Sequence, residues 1–263
     1  MNYQSQNQNQ YPIFNNPNEQ LTFDQIGNSE NIYSSKEEEV RTEINTAIRL
    51  GFIRKVYGIL SCQLFITTIF CLYAMNSNSM KEFMLYHRGI LYLMLSIITT
   101  ISLIVSCCYE LMRPFPQNYI LLFSFTFAES YIVAFICALT NPKIVFMAAV
   151  MTFVMVVSLT LYAINTNNDI TMLGGLIFIF SAAMLLLIFF GFFTSNRLFH
   201  VIIALGCVIL FSIYLIYDTQ LIMGNRKEMI QIDDYILGAY ELYLDIIQLF
   251  LNLIQIFNYF SDN

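Results

Sequence analysis

The stretch Met172–Phe193, MLGGLIFIFSAAMLLLIFFGFF, runs for twenty-two residues without one ionisable side chain. As a helix, about twenty apolar residues cross a hydrocarbon core of about 30 Å. A helix that is apolar on every face belongs inside a large protein or in a bilayer. The pattern repeats outward from this stretch, in Val56–Met75, Gly89–Cys108, Tyr119–Leu139, Ile144–Ile164 and Leu198–Tyr217. A last segment, Tyr235–Phe257, has the length but is more polar, holding Glu241, Asp245, Gln248, Asn252 and Gln255. Short breakers separate the segments: Asn76–Ser79, Arg113–Pro116, Asn141-Pro142, Asn165–Asp169 and Thr194–Arg197. Three of the five prolines lie in these connections and none lies inside a span, so uninterrupted helices are expected. A membrane barrel would need many segments of about ten residues that alternate in polarity. The expected fold is an all-α membrane protein with seven transmembrane helices.

The composition agrees. Of 263 residues, 57% are hydrophobic and 11% charged, and the mean hydropathy is +0.62. Soluble domains carry about 25% charged residues, so this chain cannot coat a water-facing surface, and a soluble monomer is excluded. Ten of the thirty charged residues precede Gly51. The net charge of -6 comes with no basic stripe to neutralise phosphates, so no nucleic-acid partner is expected. Six cysteines (Cys62, Cys71, Cys107, Cys108, Cys137 and Cys207) fall inside apolar runs without CxxC spacing. They read as small buried hydrophobes, with neither a zinc site nor a disulfide framework.

Residues 1–48 form a separate region. Met1–Gln20 is crowded with Asn, Gln and Tyr and contains Pro12 and Pro17, a composition that buries too little apolar area to offset chain entropy. Ser35–Ala47 is charged and suited to a helix. The expectation is a disordered cytosolic tail over 1–48 and a membrane domain over 49–263. The first fifty residues lack a basic-then-apolar start, so the first span itself is expected to direct insertion. With the tail inside, the cytosolic connections hold Arg49, Arg54, Lys55, Arg113, Arg226 and Lys227 beside the tail's Lys36 and Arg41. The opposite face holds Lys81, Arg88, Lys143 and Arg197. That bias favours the N-terminus inside.

The informative residues are the ionisable ones at membrane depth, each of which costs a few kcal/mol, on the order of 2–4, unless paired or wetted. Glu129 sits at the middle of the third span and Asp218 closes the sixth. Glu241 and Asp245, four apart, share one face of the seventh. No Lys or Arg lies within any span, and the nearest cation is Arg113 at the entrance to the third. Interhelical hydrogen bonding by protonated carboxyls would explain the acids structurally; four together favour a functional polar interior. Carboxylates suit a hard cation such as Ca²⁺. Two facing carboxyls can also share one proton and act as a pH-sensitive pair. Water activation by two aspartates is the enzymatic alternative. Tyr217-Asp218 matches half of an intramembrane aspartyl protease, but Asp245 stands in Leu242-Tyr-Leu-Asp245 instead of GxGD, and no Pro-Ala-Leu follows. His87 and His200 are isolated, and neither GxSxG nor a P-loop occurs, so no enzyme and no cofactor are expected. Tyr131 and Tyr217, beside two of the acids, read as packing residues that are also within reach to donate hydrogen bonds to them.

Five stretches carry a resemblance. They are Phe52–Leu64 (FIRKVYGILSCQL), Arg113–Tyr119 (RPFPQNY), Phe125–Tyr131 (FTFAESY), Tyr217–Gly224 (YDTQLIMG) and Leu242–Phe257 (LYLDIIQLFLNLIQIF). In this order they resemble the Bax inhibitor-1 superfamily, specifically its Lifeguard branch of transmembrane Bax inhibitor motif proteins. YDTQLIMG followed by LYLDI at this separation is the most specific part. The resemblance implies six helices packed around a central seventh, a pH-sensitive calcium leak channel of internal membranes, and suppression of cell death. It places the paired aspartates of the ion path and pH gate on Asp218 and Asp245, which would also make weak Ca²⁺ contact. Its arginine latch, which pairs with the first aspartate in the closed form, falls on Arg113, and Glu129 takes the acidic position of the third helix. Glu241 has no role assigned by the resemblance.

The expected partners are the lipid bilayer, Ca²⁺ as permeant ion, and apoptosis regulators. The endoplasmic reticulum or Golgi is the expected membrane, with the plasma membrane as the remaining candidate. The rival reading is a membrane scaffold that regulates apoptosis through partner binding without conducting ions.

Overall fold

The computed structural model describes residues 17–166, 168–224 and 230–261, without the side chains of 17–35 and 109. Two compact units divide the chain, Met1–Ile48 and Arg49–Asn263. In the first unit, residues 1–16 of the expected disordered tail lie outside the described residues. From Pro17 onward the backbone is helical, and this includes the charged run over Ser35–Ala47 that the sequence marks as suited to a helix, its Glu, Lys and Arg side chains being strong helix formers.

Eight α-helices are described: α1 (Pro17–Asn76), α2 (Asn78–Tyr86), α3 (Arg88–Cys107), α4 (Gln117–Leu139), α5 (Pro142–Asn165), α6 (Gly174–Gly191), α7 (Arg197–Met223) and α8 (Tyr235–Ser261). All but the short α2 supply a segment long and apolar enough to cross a membrane, which gives the seven expected spans. The breakers work locally as helix caps. Asn141 Oδ1 accepts from the Lys143 amide at 3.0 Å with Pro142 in the first turn, and Asn196 Oδ1 accepts from Leu198 at 2.9 Å.

Burial in Arg49–Asn263 is inverted relative to a soluble domain. Phe178 and Leu185 on α6 are 72% and 67% exposed, whereas Glu129, Asp218 and Asp245 are 4–6% exposed. Apolar side chains turned outward and polar ones turned inward are what lipid requires of a surface. The seventh span, α8, is the most enclosed of the seven. It packs on α4, α5 and α7 and hydrogen-bonds to α3 through Tyr240–Ser102 at 3.1 Å. Tyr243 of α8 reaches Thr67 of α1 at 2.8 Å. The α6 helix reaches the bundle through α7, where Ile177, Met184, Ile203, Cys207 and Leu210 form a core of their own.

The sixth span is longer than its apolar run. Sequence ends it near Tyr217, but α7 continues through Asp218, Thr219 and Gln220 to Met223. These polar residues are buried against other elements instead of marking an exit to water. Gln220 donates to the Asn168 carbonyl at 3.0 Å and accepts from the Ile170 amide at 2.9 Å. The helix stops where Gly224 adopts φ 73°, in the left-handed region.

Candidate functional site

The site is built on α8 by spacing. Asp234, at the turn before the helix, and Glu241, Asp245, Gln248, Asn252 and Gln255 recur at intervals of seven, four, three, four and three residues. Intervals of three and four keep side chains on one helical face. The stripe enters deep, since Asp245 lies ten residues beyond Tyr235, about 15 Å at 1.5 Å per residue and half of a hydrocarbon core of about 30 Å. Gly238 occupies the place between Asp234 and Glu241, where a Cβ would meet Ile222 of α7 at 3.4 Å.

Asp218 meets this stripe from α7. Its carboxyl and that of Asp245 are in side-chain hydrogen-bonding contact, and both are buried. Glu241, partly buried, lies within electrostatic range of Asp218, Asp234 and Asp245. Two residues 27 positions apart are thereby brought together, and a third acid stands one turn nearer the mouth. Among the described residues no three His, Cys, Asp or Glu side chains converge to hold a metal ion.

The mouth is set by Arg113. Its Nε donates to Asp234 Oδ1 at 2.6 Å, and its Nη2 donates to Asp234 Oδ2 at 3.0 Å and to Gln231 Oε1 at 3.1 Å. This two-pronged pair closes the connection before α4 onto the connection before α8. A second arginine fastens the same end. Arg49 donates to the carbonyls of Ile230 (2.7 Å) and Leu221, the latter one of the last carbonyls of α7, and stacks on Phe52 at 4.7 Å. A Cβ on Gly224 would stand 2.6 Å from Arg49 Cζ, so the last residue of YDTQLIMG is fixed twice, by its φ and by the guanidinium beside it.

Glu129, in the middle of α4, lies within electrostatic range of Tyr240 and Tyr243 on α8. Around it runs a buried polar seam. Gln63 Nε2 donates to Thr126 Oγ1 at 2.9 Å, and Thr67 Oγ1 lies 2.9 Å from Ser130 Oγ and 2.8 Å from Tyr243 OH. Among the described residues, buried polar atoms without a protein partner include Gln63 Oε1, Tyr131 OH and Asp245 Oδ2, whereas the Tyr57 and Thr219 hydroxyls are in hydrogen-bonding contact with each other. The far end of the stripe reaches a cavity of 190 Å³ lined by Arg197, His200, Val201, Gln255, Asn258 and Tyr259.

Comparison with known proteins decides the family. The family model described as "Inhibitor of apoptosis-promoting Bax1" matches residues 49–262. Human "Protein lifeguard 3" is 35% identical over 216 residues, which are 80% of this chain and 68% of that protein. The mouse protein of the same name is 32% identical over 80% of this chain and 69% of its own length. Arabidopsis thaliana "Protein LIFEGUARD 4" is 35% identical, covering 80% of this chain and 85% of that protein. The chain belongs to the Bax inhibitor-1 family, in its Lifeguard branch.

In this Lifeguard chain two expectations are revised, the partner of Arg113 and the burial of the cysteines. The latch residue Arg113 is engaged by Asp234, and the carboxyl partner of Asp218 is Asp245. The physical reason is reach: Arg113 precedes the first turn of α4, level with the turn before α8, whereas Asp218 lies more than a helical turn inside the end of α7. The Tyr131 hydroxyl has no hydrogen-bond partner, in keeping with the packing role read from the sequence. Cys62, Cys107 and Cys108 are exposed instead of buried, facing outward from apolar runs. Sequence reading missed Asp234 and the seam on α1 and α4. The stripe on α8 was detectable from the spacing of its polar residues, but the seam was not, because Gln63, Thr67, Thr126 and Ser130 are uncharged and too few to alter hydropathy.

Proposed function

We propose that this protein is a pH-sensitive calcium leak channel of an internal membrane, endoplasmic reticulum or Golgi, and that it suppresses cell death by lowering store content. The observation that carries the reading is the contact of the Asp218 and Asp245 carboxyls at the deep end of an acidic stripe. Two carboxyls in such contact hold one proton between them, since a second ionisation sets like charges side by side. Loss of that proton as pH rises leaves two negative charges facing a helix interface. The site then attracts a divalent cation and the carboxyls repel. Ca²⁺ passage is therefore expected to increase with pH through the titration of the pair.

The remaining residues have supporting roles. Asp234 and Glu241 extend negative charge from the mouth to the pair, and Arg113 neutralises Asp234 while the mouth is closed. Gln248, Asn252 and Gln255 continue the polar face beyond it. Buried polar atoms without a protein partner, such as Asp245 Oδ2 and Gln63 Oε1, are ordinarily satisfied by ordered water, which supports a wet interior. Among the described residues no third His, Cys, Asp or Glu converges on the pair, in keeping with the weak contact a permeant ion needs if it is to leave again.

The test is Ca²⁺ flux by the purified full chain in liposomes at an acidic and an alkaline pH, compared with D218N and D245N. Wild-type flux that rises with pH, and a flat response in either variant, is expected. Absence of flux at either pH, with cell-death suppression retained by both variants, would favour the scaffold reading.

A further inference from the structure

We propose that Cys71 and Cys137 form a disulfide that ties the first span to the third at the end of the bundle opposite the Arg113–Asp234 pair. Neither residue belongs to the acidic stripe, and the proposal stands independently of ion conduction.

The geometry begins with the polar seam between α1 and α4. The contacts Gln63–Thr126 and Thr67–Ser130 join residues with the same sequence offset, and both advance in the same direction, so the two helices run parallel and in register. One further turn of that register brings Cys71 level with Ala134, and the next brings Ala74 level with Cys137. Ala74 and Ala134 are fully buried. Small side chains at such positions let helices approach closely in a bilayer. Cys71 thus falls between Ala134 and Cys137, and both are free thiols in this structure. Both cysteines join the same core, Cys137 buried and Cys71 packed against it and partly open.

Depth and side favour oxidation. Cys71 lies five residues before the end of α1 and Cys137 two before the end of α4, about 8 Å and 3 Å from their helix termini. These ends face away from the arginine-rich mouth, and the bias of Lys and Arg in the sequence makes that face non-cytosolic. Non-cytosolic compartments are the ones in which disulfides form and persist.

The more open Cys71 thiolate attacks the disulfide of oxidised glutathione, or of a thiol oxidoreductase, and Cys137 then displaces the mixed disulfide. In sum two S–H bonds break and one Sγ–Sγ bond forms. Two electrons and two protons pass to the co-reactant, whose own S–S bond becomes two thiols. The linked helices hold the Gln63–Thr126 and Thr67–Ser130 contacts below them.

The experiment uses the full chain in liposomes, incubated with oxidised glutathione. Denaturation in N-ethylmaleimide blocks free thiols; reduction and an isotopically heavier maleimide then mark the thiols that were oxidised, and peptide mass spectrometry assigns them. The second label is expected on Cys71 and Cys137, and the first on Cys62, Cys107, Cys108 and Cys207. In C71S, Cys137 is expected to move wholly to the first label, and the converse in C137S. First label on both cysteines of the wild-type chain would overturn the proposal. So would second label on Cys71 that persists in C137S, because its partner would then be elsewhere. Because the wild-type chain alone can fail the test, a variant that does not fold leaves the proposal exposed.

Discussion

The helices α6 and α8 both pack on α7, yet they are built in opposite ways. The α6 helix has no ionisable residue and turns Phe178, Leu185 and Phe190 outward. The α8 helix buries Asp245 and Tyr243 and carries a polar face from Asp234 to Gln255. The difference teaches that polarity follows enclosure in this protein. Lipid is as apolar as Leu, so the hydrophobic effect does not drive one span onto another; close packing and interhelical hydrogen bonds do. A helix with no ionisable group and a single serine is kept at the margin, and the one with most polar groups takes the centre, where neighbours can satisfy them.

The comparison can be broken first by exchanging the character of the two helices. Leu185→Asp places an acid on the lipid face of α6, at a cost of about 2.5–3.5 kcal/mol near the helix centre. Loss of most membrane-integrated protein is expected in an alkaline-extraction assay, while Asp245→Asn on α8 integrates normally. Gly224→Ala tests how the end of α7 is held. Its positive φ costs about 1–2 kcal/mol for a residue with a Cβ, and the clash with Arg49 adds to it. A lower Tm in detergent is expected.

Smaller effects sharpen the contrast. Thr67→Val keeps the shape of the seam but removes the hydroxyl shared by Ser130 and Tyr243. Hydrogen bonds between membrane helices are worth about 0.6 kcal/mol on average and up to about 1.7, so a Tm decrease of a few degrees is the expected measurement. Arg113→Gln keeps an amide donor near Asp234 but removes the charge facing a carboxyl that is only 9% exposed, so a lower Tm is expected here too. An effect is also expected in function, as a faster Ca²⁺ flux at acidic pH once Asp234 has lost its cation.

Much of this was legible in the chain itself. Runs such as Met172–Phe193 identify spans because bilayer thickness sets helix length, and the breakers Asn141-Pro142 and Thr194–Arg197 sit where helices are capped. Asp218 and Asp245 stand out because a charge in lipid is costly, and the structure brings the pair together. The reach of α7 past Tyr217 was hidden because Asp218, Thr219 and Gln220 look like an exit to water until their partners are known. The partner of Arg113 was hidden for a related reason. Asp234 lies just before the last apolar segment, and only the fold sets it level with the arginine. Hydropathy reports how deep a residue can lie; it does not report which neighbour it faces.

The most direct test of the central claim is the pH profile of Ca²⁺ flux through the purified protein in liposomes, with Asp245→Asn as the sole change. The account predicts that flux through the natural sequence climbs as the medium is made alkaline and that the variant responds weakly or not at all. Identical profiles for the two chains would contradict it.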